Sequence, residues 1–428
     1  MTNTPADVRG MSLKARLVVP AVGPQIEGGV VEIDHDGRLV SVRSETDEPT
    51  FDLGDVAILP GLVNAHTHLE FSTLERPLNP GPPFTEWVRR LVAWRRGRGD
   101  RRGILEAGLE ELRASATAAA AEIVTAPAGP DDYVATAASV PGSPTTVLFQ
   151  EVIASRPEQA DIALVTAGAH MAACVELGVP PGLSPHAPFS VALPVFEKLA
   201  ASAARSRVPL AVHLAETVEE RRFLERGDGP IERMLADFGA LPSDRAAGGL
   251  SFADYMACWR DVERVCLIHG NVLDDAEAAA VARTDNVTVV YCPRTHAFFG
   301  HGRHPWRDIL RAGGRVAFGT DGRGSNPDLA VWREAKFVAA REPDEDRAAL
   351  AARLVHCVTA AGAWAIGLEG VTGSIVPGLR ADLTLFDLSG VDGTEDPLAE
   401  ILDRGLDPLA AYRSGTLSFQ RKDATMPA

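Results

Sequence analysis

The chain has 428 residues, 46% hydrophobic and 23% charged, with a formal net charge of −16. That balance describes a folded globular protein rather than a disordered one, and the acidic excess argues against a basic face for nucleic acid or anionic membranes. The five cysteines, Cys174, Cys258, Cys266, Cys292 and Cys357, form no C-x-x-C pair, so neither a disulfide framework nor a zinc knuckle is expected. The polar start MTNTPADVRG lacks a secretory apolar region, and no run of about 18 uncharged apolar residues occurs, so no membrane span is expected and the cytoplasm is the expected location.

From about residue 12 to residue 58, the segments ARLVVPAV, GGVVEIDHDGRLVSVR and DVAILP are predicted strands separated by Gly and Asp-Gly turns. From Pro60 the texture changes. Short apolar runs (AEIVTA, TTVLFQ, GLS before Pro185, PLAVHL, VCLIH, VTVVYC, RVAFGT) alternate with helical stretches such as TEWVRRLVAWRR, DIALVTAGAHMAACVELG, VFEKLAASAARS, DAEAAAVART and PWRDILRAGG. The Ala-rich ATAAAAE is predicted as helix. With the run into His66 this makes eight strand-helix units, the pattern of a parallel sheet covered on both faces and of an α/β fold built on a (β/α)8 TIM-type barrel. After Gly370, GSIVPGLRADLTLFDL and LAAYRSGTLSF return to hairpin texture. The expected organisation is a barrel over 60–370 beside a small β-sandwich-like domain formed from both chain ends, 1–59 and 371–428.

Active sites of such barrels sit at the carboxyl ends of the strands. Six of the eight runs end in such groups: the first in His66 and His68, the fourth in PHAPFS with His186, the fifth in HLAE with His213 and Glu216, the sixth in IHGN with His269, the seventh in YCPRTH with Cys292 and His296, and the eighth in GTDG with Asp321. Alternate strand residues share a face, so His66 and His68 can aim at one point. His213 can add a third nitrogen and Asp321 an oxygen, a donor set suited to Zn²⁺ or a similar ion. Such an ion makes hydroxide available near neutral pH. Glu216, three residues past His213, is placed to shuttle a proton, and His269 to hold the hydroxide or polarise the reacting group.

Taken in order, PGLVNAHTHLEFS, SPHAPFSV, HLAET, LIHGN and GTDGRGSN resemble the metal-dependent amidohydrolase superfamily. The resemblance is to the branch holding guanine, S-adenosylhomocysteine and aminodeoxyfutalosine deaminases and atrazine chlorohydrolase. It runs over nearly the whole chain, including IVPGLRADLTLFD. It implies that His66, His68, His213 and Asp321 are metal ligands, that Glu216, His269 and Asp321 are catalytic, and that His186 touches substrate. Binuclear relatives bridge two metals with a carboxylated lysine after strand four. Here that position reads SPHAPF, Lys198 lies about a helical turn or more beyond it, and Lys14, Lys336 and Lys422 are remote. One divalent ion is therefore expected, Zn²⁺ foremost, with Fe²⁺ or Mn²⁺ as alternatives.

Deaminases of this branch more often carry a serine-asparagine pair where Thr295 and His296 stand, which makes His296 a candidate for reading the substrate. His301, His304, His170, His356 and His35 read as structural. The loop in ERPLNPGPPFTEWVRR is long enough to cover a site, with Phe84, Trp87 and Arg89 as candidate substrate contacts. The expected activity is hydrolytic release of ammonia from an aromatic amine on a small molecule, an adenosine-like nucleoside with aminodeoxyfutalosine as the best single candidate. Hydrolysis of an amide, cyclic imide or C–Cl bond at the same ion is the alternative. A non-catalytic binding protein is the second, and intact Glu216 and Asp321 argue against it. No nucleic-acid or membrane partner is expected, and a homo-oligomer is compatible with the sequence.

Overall fold

The computed structural model describes residues 4–44, 50–79, 81, 83–241, 248–391 and 396–422. Eight parallel strands stand side by side in chain order: β1 (Leu62–Thr67), β2 (Thr117–Val124), β3 (Thr145–Val152), β4 (Pro181–Pro185), β5 (Leu210–Leu214), β6 (Val265–His269), β7 (Val287–Tyr291) and β8 (Arg315–Phe318). A parallel bridge between Thr67 and Asp321 joins the first to the last and closes a (β/α)8 barrel.

Alternation of side chains explains how these apolar runs fill both faces. Val63, Ala65, Ala119, Ala121, Ile123, Val147, Phe149, Ala211, Cys266, Ile268, Val290 and Ala317 form one buried cluster, the barrel interior. Intervening residues such as Leu62, Val212, Leu267, Val289 and Val316 belong to a separate cluster with the surrounding helices. The run predicted as helix, ATAAAAE, instead enters β2 from Thr117 onward, and every residue of that strand is buried. Alanine favours helix in isolation, but between β1 and β3 its small side chain lets crowded strands approach, and tertiary packing overrides propensity.

Both chain ends build the adjoining β domain. Its six-stranded sheet runs in the order Thr416–Gln420, Ala410–Arg413, Leu383–Asp387, Val56–Pro60, Leu17–Val18, Ile26–Glu27, so the last strand before the barrel pairs with the first after it. A four-stranded sheet comes wholly from the N-terminal segment, in the order Leu39–Arg43, Val30–Ile33, Ser12–Lys14, Phe51–Asp52. Leu13, Val31, Ile58, Leu383 and Tyr412 share its core. The hairpin texture hides one helix, Pro397–Asp403, capped by Asp396, whose carboxylate accepts from Leu398 N and Ala399 N.

Two helical segments, Pro157–Leu177 and Arg347–Ala365, reach mean hydropathies of 1.4 and 1.3 and are long enough to cross a membrane by length and composition alone. The first holds the crossover helix between β3 and β4, and the second follows β8. Helix Ala160–Leu177 turns Ala163, Ala167, His170 and Cys174 inward and leaves Ile162, Val165 and Val175 exposed.

Candidate active site

The carboxyl ends of the strands gather nearly all the singled-out residues. In β1 the register slips between Asn64 and Thr67, so that Asn64 pairs with Ala120 but Thr67 with Glu122. The extra residue switches the inward phase from Val63 and Ala65 to His66 and His68. On β8 the inward series Ala317, Gly319 runs on to Asp321. A Cβ on Gly319 would come within 2.8 Å of His66 Cβ, and one on Gly322 within 3.0 Å of His68 Cβ, so both glycines of GTDG are required for this close approach. Thr320 N and Asp321 N both donate to His66 O at 3.1 Å, and Asn64 Nδ2 donates to Thr320 Oγ1 at 2.8 Å.

His66, His68 and His213 place one nitrogen each within 4.8 Å of the others. Asp321 Oδ1 lies 3.5 Å from His66 Nε2 and 3.6 Å from His68 Nε2. Neither ring nitrogen of His66, nor His68 Nδ1, has a hydrogen-bond partner despite complete burial. Unpaired buried nitrogens are costly unless something binds them. Burial and neighbouring imidazoles push His66 and His68 well below the ordinary histidine range and His213 down to about 4, so all three present neutral rings. His213 Nδ1 lies 3.0 Å from His186 O and donates to it, which leaves the Nε2 lone pair facing the cluster. Ser325 Oγ donates to Asp321 Oδ2 at 2.6 Å and frees Oδ1 toward the histidines. Neutral imidazoles with their lone pairs turned to one carboxylate fit a divalent cation, held by His66, His68, His213 and Asp321.

Beside them, Glu216 Oε1 is 3.5 Å from His269 Nε2. Burial first, then Asp321, Glu220 and Glu219, hold the Glu216 carboxyl protonated well above the carboxylate range. Burial keeps the His269 ring neutral. His186 Nδ1 is 2.6 Å from Ser190 Oγ.

These groups floor a cavity of about 190 Å³. Helix Phe84–Gly97 supplies one wall through Phe84, Trp87, Val88, Leu91, Val92 and Arg95, a single face at helical spacing. Trp87 Nε1 donates to Gly324 O at 3.0 Å and the ring stacks on Phe84 at 5.6 Å. Phe189, Met234, Leu235 and Phe238 stand among the other lining residues. His296 is buried beside Tyr291, His301 and His304 and is not among the lining residues; Arg89 is turned to Glu86 and Asp237 instead.

Sequence reasoning passed over four polar groups here. Glu151 lines the cavity with Oε1 4.0 Å from His186 Nε2, and the strand-end rule applied to TTVLFQEV finds it. Arg95 lines it too, paired with buried Glu70 at 2.5 Å. Ser325 lies inside GTDGRGSN, four residues past Asp321. Glu122, the one charge in an apolar strand, accepts from Leu69 N at 3.0 Å and so braces the residue after His68.

Residues 57–417 match the Amidohydrolase family. The chain is 31% identical over 392 residues to a 5-methylthioadenosine/S-adenosylhomocysteine deaminase of Moorella thermoacetica, covering 88% of this chain and 85% of the relative. It is 30% identical over 345 residues to an aminodeoxyfutalosine deaminase of Deinococcus radiodurans, covering 76% and 78%. Among solved structures, an adenosine deaminase from Xanthomonas campestris with bound zinc superposes with a TM-score of 0.78 at 22% identity, covering 99% of this chain and 96% of that one. The closed barrel, its histidine-aspartate cluster and a match over most of the chain together establish that this protein belongs to the amidohydrolase family.

Proposed function

We propose that the protein is a hydrolytic deaminase of purine-type nucleosides that works with one divalent metal ion, zinc being the ion proposed. The observation that carries the reading is the placement of Glu216 Oε1 3.5 Å from His269 Nε2 at the floor of an apolar cavity beside the histidine cluster, where burial raises the Glu216 pKa well above its ordinary value. The relatives at 31% and 30% identity are named a 5-methylthioadenosine/S-adenosylhomocysteine deaminase and an aminodeoxyfutalosine deaminase, which supports the substrate class. A divalent ion bound at His66, His68, His213 and Asp321 supplies a Lewis acid and a water-derived nucleophile at neutral pH.

The chain's own residues account for the rest. Glu216 brings a proton at Oε1 to the ring nitrogen next to the carbon under attack; the carboxylate so formed takes the proton of the added hydroxyl and passes it to the departing amine, so that the carbon–oxygen double bond forms as ammonia leaves. Neutral His269 offers Nε2 to the attacking oxygen and keeps Glu216 in place. Phe84, Trp87 and Phe189 are apolar walls for a flat heterocycle, while His186 and Glu151 offer polar contacts to its edge or to sugar hydroxyls. Walls of this kind exclude bulk water and strengthen each polar contact inside.

The test is a coupled ammonia assay with zinc-loaded enzyme on 6-aminopurine nucleosides bearing different 5′ groups, run beside amide, cyclic imide and chlorotriazine substrates. Ammonia from at least one nucleoside is the expected result. Turnover confined to the other three classes would overturn the deaminase reading.

A further inference from the structure

We propose that His304, a histidine outside the cavity, is a positioning residue that holds His269 in its working orientation through the His269 backbone. The inference rests on the role just given to His269 and Glu216. Cys266 and Ile268 are the inward residues of β6, so regular continuation would send the next side chain outward. His269 instead has φ +72°, in the left-handed region that side chains rarely adopt, and Gly270 follows at +66°. The turn swings the imidazole into the site, where its ring centroid lies 5.9 Å from that of His66 and 5.5 Å from that of His213.

A backbone in this region persists only when its surroundings over-determine it. His304 Nε2 lies 2.7 Å from His269 O. Trp306 N donates to His304 Nδ1 at 3.0 Å, so that nitrogen carries the lone pair and the ring proton sits on Nε2, pointed at the His269 carbonyl. The ring is buried, stacks on Tyr291 with centroids 3.9 Å apart, and is kept neutral by burial, which pushes its pKa to about 3. One tautomer, two hydrogen bonds and a stacked face leave His304 a single arrangement. Its donor fixes the carbonyl of the residue whose side chain stands 3.5 Å from Glu216.

Two substitutions separate positioning from packing. In His304→Gln the amide nitrogen falls near the imidazole Nε2 and keeps the donor to His269, while the acceptor for Trp306 is lost. In His304→Asn the shorter amide keeps an acceptor for Trp306 and stops short of His269. With metal content and melting temperature measured for both, His304→Asn is expected to lose about 10²-fold in kcat for ammonia release at nearly unchanged KM, the loss typical of a small misplacement. His304→Gln should stay within about tenfold of wild type by the same reasoning. Equal losses in the two variants, or none in either, would show the proposal wrong. Histidine-ring ¹⁵N NMR of the wild-type zinc enzyme provides an arm independent of turnover. His304 should show the Nε2–H tautomer with a slowly exchanging proton; the other tautomer or rapid exchange overturns the hydrogen bond. Should the wild type release no ammonia from any nucleoside, the deaminase reading fails and the NMR arm still decides the His304 contact.

Discussion

His68 Nε2 and His213 Nε2 stand 3.3 Å apart although 145 positions separate them in the chain. The His213 proton is committed to His186 O on the far side of its ring, so that a lone pair points into the gap. Two further groups, His66 Nε2 and Asp321 Oδ1, face the same space, 3.5 Å from each other. The expected content is one divalent ion per chain, read by elemental analysis. Two tightly held ions in active protein would contradict it. His66→Ala should weaken zinc binding by more than the roughly 10–100-fold typical of losing an outer support, and Ser325→Ala should fall inside that range. Competition with a chelator of known affinity measures both.

Glu216→Gln keeps the shape of the side chain but carries no transferable acid proton. Zinc content should be unchanged and kcat should fall by about 10²–10⁴-fold. Wild-type turnover by this variant on the true substrate would remove Glu216 from the mechanism.

Glu122 makes stability depend on pH in a defined direction. Its pKa rises from 4.5 to about 8, chiefly through burial. Tyr133 Oη at 2.7 Å, Leu69 N at 3.0 Å and Thr67 Oγ1 at 2.8 Å all donate to the carboxyl and pull its pKa down, but burial outweighs them. A raised folded-state pKa favours folding at low pH: the stabilisation is full below 4.5 and is lost as pH rises through about 8. Glu122→Gln copies the protonated form. It should match wild type near pH 5 and exceed it near pH 9 by on the order of 1–3 kcal/mol in denaturant titrations. A constant difference across that range would mean Glu122 is ionised in the fold.

Trp87→Ala removes a cavity wall and the bond to Gly324 O. On the proposed function the ring would touch bound substrate and transition state alike, so KM should rise about tenfold while kcat changes little. A selective fall in kcat would place Trp87 closer to the chemistry.

Much of this was legible in the chain because barrel strands buried on both faces must be continuous apolar runs, and because chemistry in such folds collects where those runs end. His66, His68, His213 and Asp321 could be picked out that way, and Phe84 and Trp87 through the long Pro/Gly loop that leads into their segment. Other features depend on groups distant in sequence. The slip between Asn64 and Thr67 is a property of β1 against β2, not of HTH. ATAAAAE reads as helix because alanine's preference is local while the crowding that wants small residues is not. His296 follows a strand as the other histidines do, but the helix opening at Pro293 carries it away from the cavity. Asp396-Pro397 is a legible helix start that hairpin texture on either side disguised.

Pairing of Val56–Pro60 with Leu383–Asp387 sets a timetable for synthesis. Leu59 and Thr384 are partners across about 325 positions, and translation at roughly 5–20 residues per second takes tens of seconds to cover them. Throughout that interval the strand leading into the barrel has an open ladder on one side, a template for pairing with other chains. The whole barrel emerges before the strand that closes this edge, so ribosomes halted just short of Leu383 would carry a metal-site barrel still joined to an unsealed sheet.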